Sequence, residues 1–347
     1  MLQKPTIKDI ARMAKVSSTA VSMALNDRPG VSEKNREKIK KIAKGIGYQP
    51  NYIAKALISR HSQSIGLIVS TIGDPFYTEL ASGVEKRANE KGYTMVLCNT
   101  NRSMAAEKRF IDMLRARGVD GIILATVEKR DPCVQSLIGE HFPFVLVNRL
   151  PMDPSLTNKF DFVVQDNFSG GYQGIEHLYR LGHDRIAIIA GDFKTSTGLT
   201  KAEGARKAIT DFGLKIDPRL VVDCGFVRSN AFEAAKQLLV GRKNRPTAFF
   251  CHDDNMALGV REAILGEGLK IAQDIALVGF DDIDIASLIG IDLTTISHKT
   301  SVMGEIGTGI LIDKIEGTTH DMVSKIVLEA KLVIRKSCGY YLHGYVR

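Results

Sequence analysis

Between Val16 and Asn26 the chain reads VSSTAVSMALN, and its side chains sort into two sets at helical spacing. Ala20, Val21, Ala24 and Leu25 share one face at about 100° per residue, while Ser18, Thr19, Ser22, Met23 and Asn26 lie opposite. A row of small hydroxyls and amides suits hydrogen bonding to base edges and phosphates. Catalytic signatures are missing elsewhere. No GxGxxG, GxxxxGK, HExxH or GxSxG motif occurs, and no cysteine–histidine nucleophile pairing is recognisable. Asp281 and Asp282 are adjacent, but adjacency alone does not make a catalytic dyad. The expectation is a binding protein without enzymatic activity.

The elements that position this polar face are short helices. Ile7, Ile10, Ala11 and Ala14 recur at i, i+3, i+4, i+7, and Thr6 with Asp9 reads as a capping box. Ser17 caps the second helix. A loop around Arg28–Pro29–Gly30 follows, then a Ser32 cap and a third helix through about Lys44. Three short helices with a tight turn between the first two predict a helix-turn-helix unit, with the second helix in a DNA major groove.

Charge points the same way. The first 60 residues carry 13 Lys/Arg against 4 Asp/Glu, a net of +9, whereas the whole chain is +8, leaving the remainder at −1. A basic head on a neutral body is the footprint of a polyanion binder; a solvated basic tail is the alternative that helical periodicity disfavours. At 347 residues, with 44% hydrophobic and 25% charged residues, the chain accommodates two or three globular domains. No apolar run approaches the roughly 20 residues a membrane helix requires, and the N-terminus lacks a secretion signal. Five scattered cysteines without a CxxC pair disfavour a disulfide framework or a zinc site and suit a reducing, cytoplasmic setting. No cofactor and no metal is expected.

YQPNYIAKALISRHSQS follows, with Ile53, Ala54 and Leu57 on one side of a segment too short to be stable alone. Two readings stand: a linker, or a hinge helix that orders on DNA and wedges Leu57 into the minor groove. From Ser64 on, apolar runs such as IGLIVS, VDGIILAT, RIAIIAG and IALVGFDD alternate with glycine-terminated amphipathic helices. Repeated βα units predict doubly wound parallel sheets, here as two lobes around a cleft, with ligands at the carboxyl ends of strands.

TIKDIARMAKVSSTAVSMALNDRPGVSEKNREKIKKIAKGIGYQPNYIAKAL resembles the N-terminal pattern of the LacI/GalR family of bacterial transcriptional regulators. DNFSGGYQGIEHLYRLGHDRIAIIAG and MALGVREAILGEGLKIAQDIALVGFDDI extend the resemblance over nearly the whole chain. It implies a multi-domain protein: an all-α helix-turn-helix head plus an α/β effector-binding core of two doubly wound lobes, periplasmic-binding-protein-like. The corresponding divisions are 1–48 for the head and 49–62 for the hinge. Residues 63–163 with 294–323 would form the N-terminal lobe, and 164–293 with 324–347 the C-terminal lobe. Crossings between lobes would fall near 162–166, 291–296 and 322–327.

The resemblance also implies site residues. Ser18, Thr19 and Met23 would read bases, and Thr6, Ser17, Ser22, Asn26, Ser32 and Asn35 would meet phosphates. Asn51, Ala54 and Leu57 belong to the junction and hinge, with Leu57 as the lever. Many relatives carry arginine where Met23 stands; methionine offers apolar contact in place of a bidentate bond to guanine. For the effector, Asp74, Phe76, Asn148, Arg149, Phe226, Asp253, Asp281 and His298 fall at matching positions. Alternatives remain: a turn cap for Asp281, ordinary core for Phe226, a structural role for His298 and a lobe–lobe salt bridge for Arg149. The family often has asparagine at Asp253 and arginine where Leu199 stands, so a usual anion or hydroxyl fork is not expected.

The combined expectation is a cytoplasmic, nucleoid-associated homodimeric repressor that binds a pseudo-palindromic double-stranded DNA operator without membrane association. A small-molecule effector, a saccharide or, given the aspartates, a cationic ligand, would control it. Corepressor or partner-protein activation is the alternative to release by an inducer. A solute-binding protein serving a transporter would need export and would leave the basic head without a purpose.

Overall fold

The computed structural model describes residues 5–48, 61–156, 158–215, 217–241, 245–297, 299–318 and 322–345. Asn51, Ala54, Leu57 and His298 lie outside these residues. The chain divides into two compact units, Met1–Ser62 and Gln63–Arg347.

The first unit contains α1 (Ile7–Ala14), α2 (Ser18–Leu25) and α3 (Glu33–Gly45). The capping box closes as the residue types require. Thr6 Oγ1 accepts from the Asp9 amide, and Asp9 Oδ2 accepts from the Thr6 amide at 3.0 Å. Lys15 turns left-handed at φ 58° to end α1, and Ser17 Oγ then accepts from the Ala20 amide at 3.1 Å to start α2. Ser32 occupies the N-cap position of α3 but makes no side-chain capping bond, so its hydroxyl stays exposed rather than serving the expected cap. Ile10, Ala14, Val21, Ala24 and Ile39 form the small core that fixes the three helices.

In the second unit, β1 (Ser64–Val69), β2 (Thr94–Asn99), β3 (Gly121–Leu124), β4 (Phe144–Val147) and β5 (Asp161–Gln165) join one sheet. Its helices are α4 (Pro75–Glu90), α5 (Met104–Ala116) and α6 (Pro132–Gly139). The chain continues through α7 (Asn167–Arg180), β6 (Ile186–Ala190), α8 (Ser196–Asp211) and β7 (Val221–Asp223). Next come α9 (Arg228–Leu239), β8 (Ala248–Cys251), α10 (Asp254–Gly266) and β9 (Ala276–Val278). The last major elements are β10 (Thr295–Ser297), α11 (Thr300–Ile315), β11 (Lys325–Leu328) and β12 (Lys331–Val333).

The first sheet has the order β11-β5-β4-β3-β1-β2 and the second β7-β6-β8-β9; both are parallel throughout. Apolar clusters cover both faces of each sheet, which is why the central strands read as continuous aliphatic runs. The lobes differ from the expected division at two strands. β10, expected within 294–323 of the first lobe, pairs antiparallel with β12, and Asp281 and Val278 at the second sheet bridge to Ser297 and Thr294. β11, expected within 324–347 of the second lobe, pairs with β5 in the first sheet. Both are short, and β11 alternates exposed and half-buried residues, so local sequence carries little information about which sheet each joins.

Candidate ligand cleft and nucleic-acid face

Asp74, Phe76, Asn148, Arg149, Phe226, Asp253 and Asp281 converge on one cleft of about 370 Å³ between the carboxyl ends of the two sheets. Each arrives by the same device, a strand end turning into a helix or loop. Asp74 follows β1 and caps α4, its Oδ1 accepting from the Phe76 amide at 3.1 Å. Asn148 and Arg149 follow β4, Phe226 follows β7, Asp253 follows β8, and Asp281 follows β9. Three of them, Asn148 (φ 71°), Phe226 (φ 60°) and Asp281 (φ 110°), hold left-handed backbone. Such conformations cost about 1–3 kcal/mol each and persist only where surrounding structure enforces them.

At Phe226 the enforcement is visible. Arg102, on the turn after β2, donates from Nη1 to Gly225 O at 2.5 Å and from Nη2 to Phe226 O at 2.6 Å, joining the lobes. The ring lies against Gly191, where a Cβ would stand 2.0 Å from Phe226 Cζ. Phe226 belongs to the apolar core of the second lobe and also lines the cleft, so it fills both roles considered for it. The Arg149 guanidinium lies 5.7 Å from its centroid.

Lys201 is the residue that sequence reasoning missed. Its side chain is 2% exposed. Nζ donates to His252 O at 2.8 Å, sits 3.4 Å from Asp281 Oδ1, and lies 3.6 Å from the Phe280 ring centroid. Close helix packing aims it inward. A Cβ on Gly171 of α7 would fall 2.2 Å from Lys201 O, and one on Gly204 of α8 would fall 2.0 Å from Phe168 O. The cation thus stands two residues beyond Leu199, which is half-buried and does not line the cleft; it brings a single ammonium and not the two-pronged donor of an arginine. A usable signal was the helical spacing of Gly198, Lys201 and Gly204, which places the lysine on a small-residue, buried face. Ser70, Tyr77, Arg102, Gln165 and Thr197 complete the lining.

Three acids and three bases therefore face one another: Asp74, Asp253 and Asp281 against Arg102, Arg149 and Lys201. Burial and the neighbouring Asp74 push the Asp253 carboxyl up to about 7. Burial also raises Asp74 and Asp281, opposed at Asp74 chiefly by the Phe76 amide and at Asp281 by the Lys201 ammonium. Arg149 Nε, Gln165 Oε1 and Asp253 Oδ2 are buried without a hydrogen-bond partner among the described residues. Buried polar atoms left in this state cost about 1–3 kcal/mol each, so their concentration in one cleft marks a place where a polar molecule docks.

On the helical unit, Ser18, Thr19, Ser22 and Asn26 are exposed along α2, with Thr6, Ser17, Ser32 and Asn35 exposed beside them. Met23 is half-buried, its Sδ 3.3 Å from where a Gly30 Cβ would lie. Asn26 Nδ2 donates to Ser22 O at 2.8 Å. Among the described residues no helix is long and apolar enough to cross a membrane.

A helix-turn-helix head with a two-lobed α/β core and a polar cleft defines a DNA-binding transcriptional regulator with an effector domain. Residues 6–51 match the model of bacterial regulatory proteins of the lacI family, and residues 62–336 match that of periplasmic binding proteins and the sugar binding domain of the LacI family. The HTH-type transcriptional repressor PurR of Histophilus somni (strain 129Pt) is 33% identical over 96% of this chain and 98% of its own. The HTH-type transcriptional regulator DegA of Bacillus subtilis (strain 168) is likewise 33% identical, with the same coverage. Among solved structures, a lac repressor dimer bound to operator and the anti-inducer ONPF superposes with TM-score 0.85 at 26% identity, over 97% of this chain and 99% of that one. A CelR–cellobiose complex gives 0.72 at 30% identity, over 96% and 100%. The chain belongs to the LacI family of bacterial regulatory proteins. It is a regulator of transcription, not an enzyme.

Proposed function

We propose that the protein is a dimeric repressor whose operator affinity falls when a compact, neutral polyhydroxy molecule, a saccharide, closes into the cleft. The observation that carries this reading is the pairing of unpartnered Asp253, Gln165 and Arg149 atoms with an aromatic face at Phe226. Carboxylate and amide oxygens accept from ring hydroxyls, guanidinium and ammonium groups donate to them, and the aromatic ring covers the apolar sugar face. Three acids and three bases share the lining, so a neutral ligand adds no further charge to it.

The base-reading role belongs to Ser18, Thr19 and Met23, the phosphate role to Thr6, Ser17, Ser22, Asn26, Ser32 and Asn35, and the lever role to Leu57. Dimerisation fits the exposed aliphatic side chains Leu265 and Ile285, which border one surface groove, and Leu288 and Ile289, the last 97% exposed. It also supplies the two-fold symmetry a pseudo-palindrome requires. The protein then acts on cytoplasmic DNA, where its five free, buried cysteines stay reduced.

The test is calorimetric titration with neutral monosaccharides, their phosphates and planar nucleobases, followed by operator binding with and without the best ligand. A neutral sugar that binds and weakens operator affinity is the expected result. Preference for a nucleobase or a phosphate overturns the ligand class, and tighter operator binding with ligand overturns the inducer role.

A further inference from the structure

Beside the cleft, three side chains unrelated to the proposed effector contacts gather on two helix starts. Glu107 stands in the first turn of α5, Asp131 caps α6, and Cys133 is in the first turn of α6. Their candidate donor atoms all lie within 4.8 Å of one another. Glu107 is 3% exposed, Asp131 4% and Cys133 9%. Two carboxyls buried this deeply need a compensating cation or a shared proton. The groups acting most strongly on Glu107 include two further acids, Asp131 and Glu128.

The remaining polar contacts orient the three groups. Thr126 donates its hydroxyl to Glu107 Oε2, which holds that carboxyl in place. Asp131 Oδ1 accepts from the Cys133 amide at 2.9 Å and Oδ2 from the Glu128 amide at 3.4 Å. Glu107 Oε1 is buried and faces no donor among the described residues, while the Glu107 and Asp131 carboxyls stand within hydrogen-bonding reach of each other.

We propose that Glu107, Asp131 and Cys133 form a binding site for a zinc-class divalent cation, tying α5 to α6 next to the effector cleft. One cysteine sulfur and two carboxyls make a three-ligand set that zinc accepts, the thiol proton passing to solvent as the metal–sulfur bond forms and a fourth position left for water. The Thr126–Glu107 bond and the two amide bonds to Asp131 are the outer contacts that hold metal ligands in register. Glu107 and Thr126 also border a second void of about 410 Å³, which shares Ser70, Arg102, Arg149 and Phe226 with the effector cleft and gives an ion a route in. The ligands come from two helices, 24 and 2 residues apart along the chain, so no CxxC-type spacing announces them.

The experiment uses the full-length, metal-free protein. Zinc is titrated against a chromophoric chelator at pH 7.5, and cobalt(II) is added separately to read the thiolate-to-metal absorption band. One equivalent of zinc bound and a thiolate band in the near-ultraviolet are expected, with at least a tenfold loss of affinity in Cys133→Ser and in Glu107→Gln. Circular dichroism verifies that both variants fold. If either variant fails to fold, Asp131→Asn takes its place, and an unchanged cobalt band there assigns the thiolate to one of the four other cysteines and overturns the site. No zinc uptake, no thiolate band, or unchanged affinity in both folded variants overturns the site; the two carboxyls then share a proton.

Discussion

Lys201 Nζ and Asp281 Oδ1 lie 3.4 Å apart in the lining of the cleft, both nearly inaccessible. The lysine also holds the His252 carbonyl and the face of Phe280, whereas the acid has other acids, Asp253, Asp254 and Asp74, around it. The lysine is therefore held by three groups, of which the acid is one.

Lys201→Met should destabilise the fold by up to about 3–5 kcal/mol, the range for removing one member of a buried ion pair. Asp281→Asn alone should cost less, since Lys201 keeps its carbonyl and ring contacts. The double variant should recover most of the Lys201→Met loss. Urea melts of the four proteins measure the coupling; additive losses would show that the two groups do not compensate each other.

Effector affinity should rise with pH through about 7. The unliganded Asp253 carboxyl titrates there because burial opposes its charge. A ligand hydroxyl donating to Oδ2 requires the carboxylate, so binding weakens as pH falls below that value. Asp253→Asn should abolish the pH dependence. Titration calorimetry at pH 6, 7 and 8 on both proteins reads the effect, and a flat wild-type profile rejects it.

Acid sensitivity should trace in part to His177. Burial lowers its pKa from 6.5 to about 4. The unfolded chain binds this proton more readily than the folded one, so the stability is full above about pH 6.5 and lost as pH falls toward 4. The ceiling is about 3 kcal/mol, from a shift of about 2.5 units. Asp254 works in the other sense. Burial raises it to about 8, and its stabilising proton is lost as pH rises toward that value. The measurable quantity is the difference between wild type and His177→Gln, whose melts should converge at low pH and part above pH 6.5.

Met23→Arg should change which base the operator half-site prefers. Met23 is half-buried on α2 with its sulfur near Gly30, and the longer arginine side chain in its place can extend past the glycine. Arginine pairs with guanine O6 and N7, a discrimination of about 1–3 kcal/mol, whereas methionine suits a thymine methyl. Selection from random duplexes with both proteins should move one symmetric position toward guanine and leave the rest unchanged. An identical consensus would remove Met23 from base reading.

The sequence by itself determined the local architecture of both units. Thr6 with Asp9 and Ser17 with Ala20 close their caps because capping needs only residues a few positions apart. The strand ends that deliver Asp74, Phe226, Asp253 and Asp281 were legible for the same reason: an aliphatic run followed by a polar turn is a local pattern. What tertiary structure alone decided is direction and partnership. The spacing of Gly198, Lys201 and Gly204 marks a small-residue face, but which groups meet the ammonium there, the His252 carbonyl, Asp281 and the Phe280 ring, is set by the packing of α7 and α8. Arg102 meets Phe226 across 124 residues, and β11 chooses the first sheet over the second through backbone pairing with β5. Those choices depend on long-range packing energies summed over the folded chain, which no short window of sequence contains.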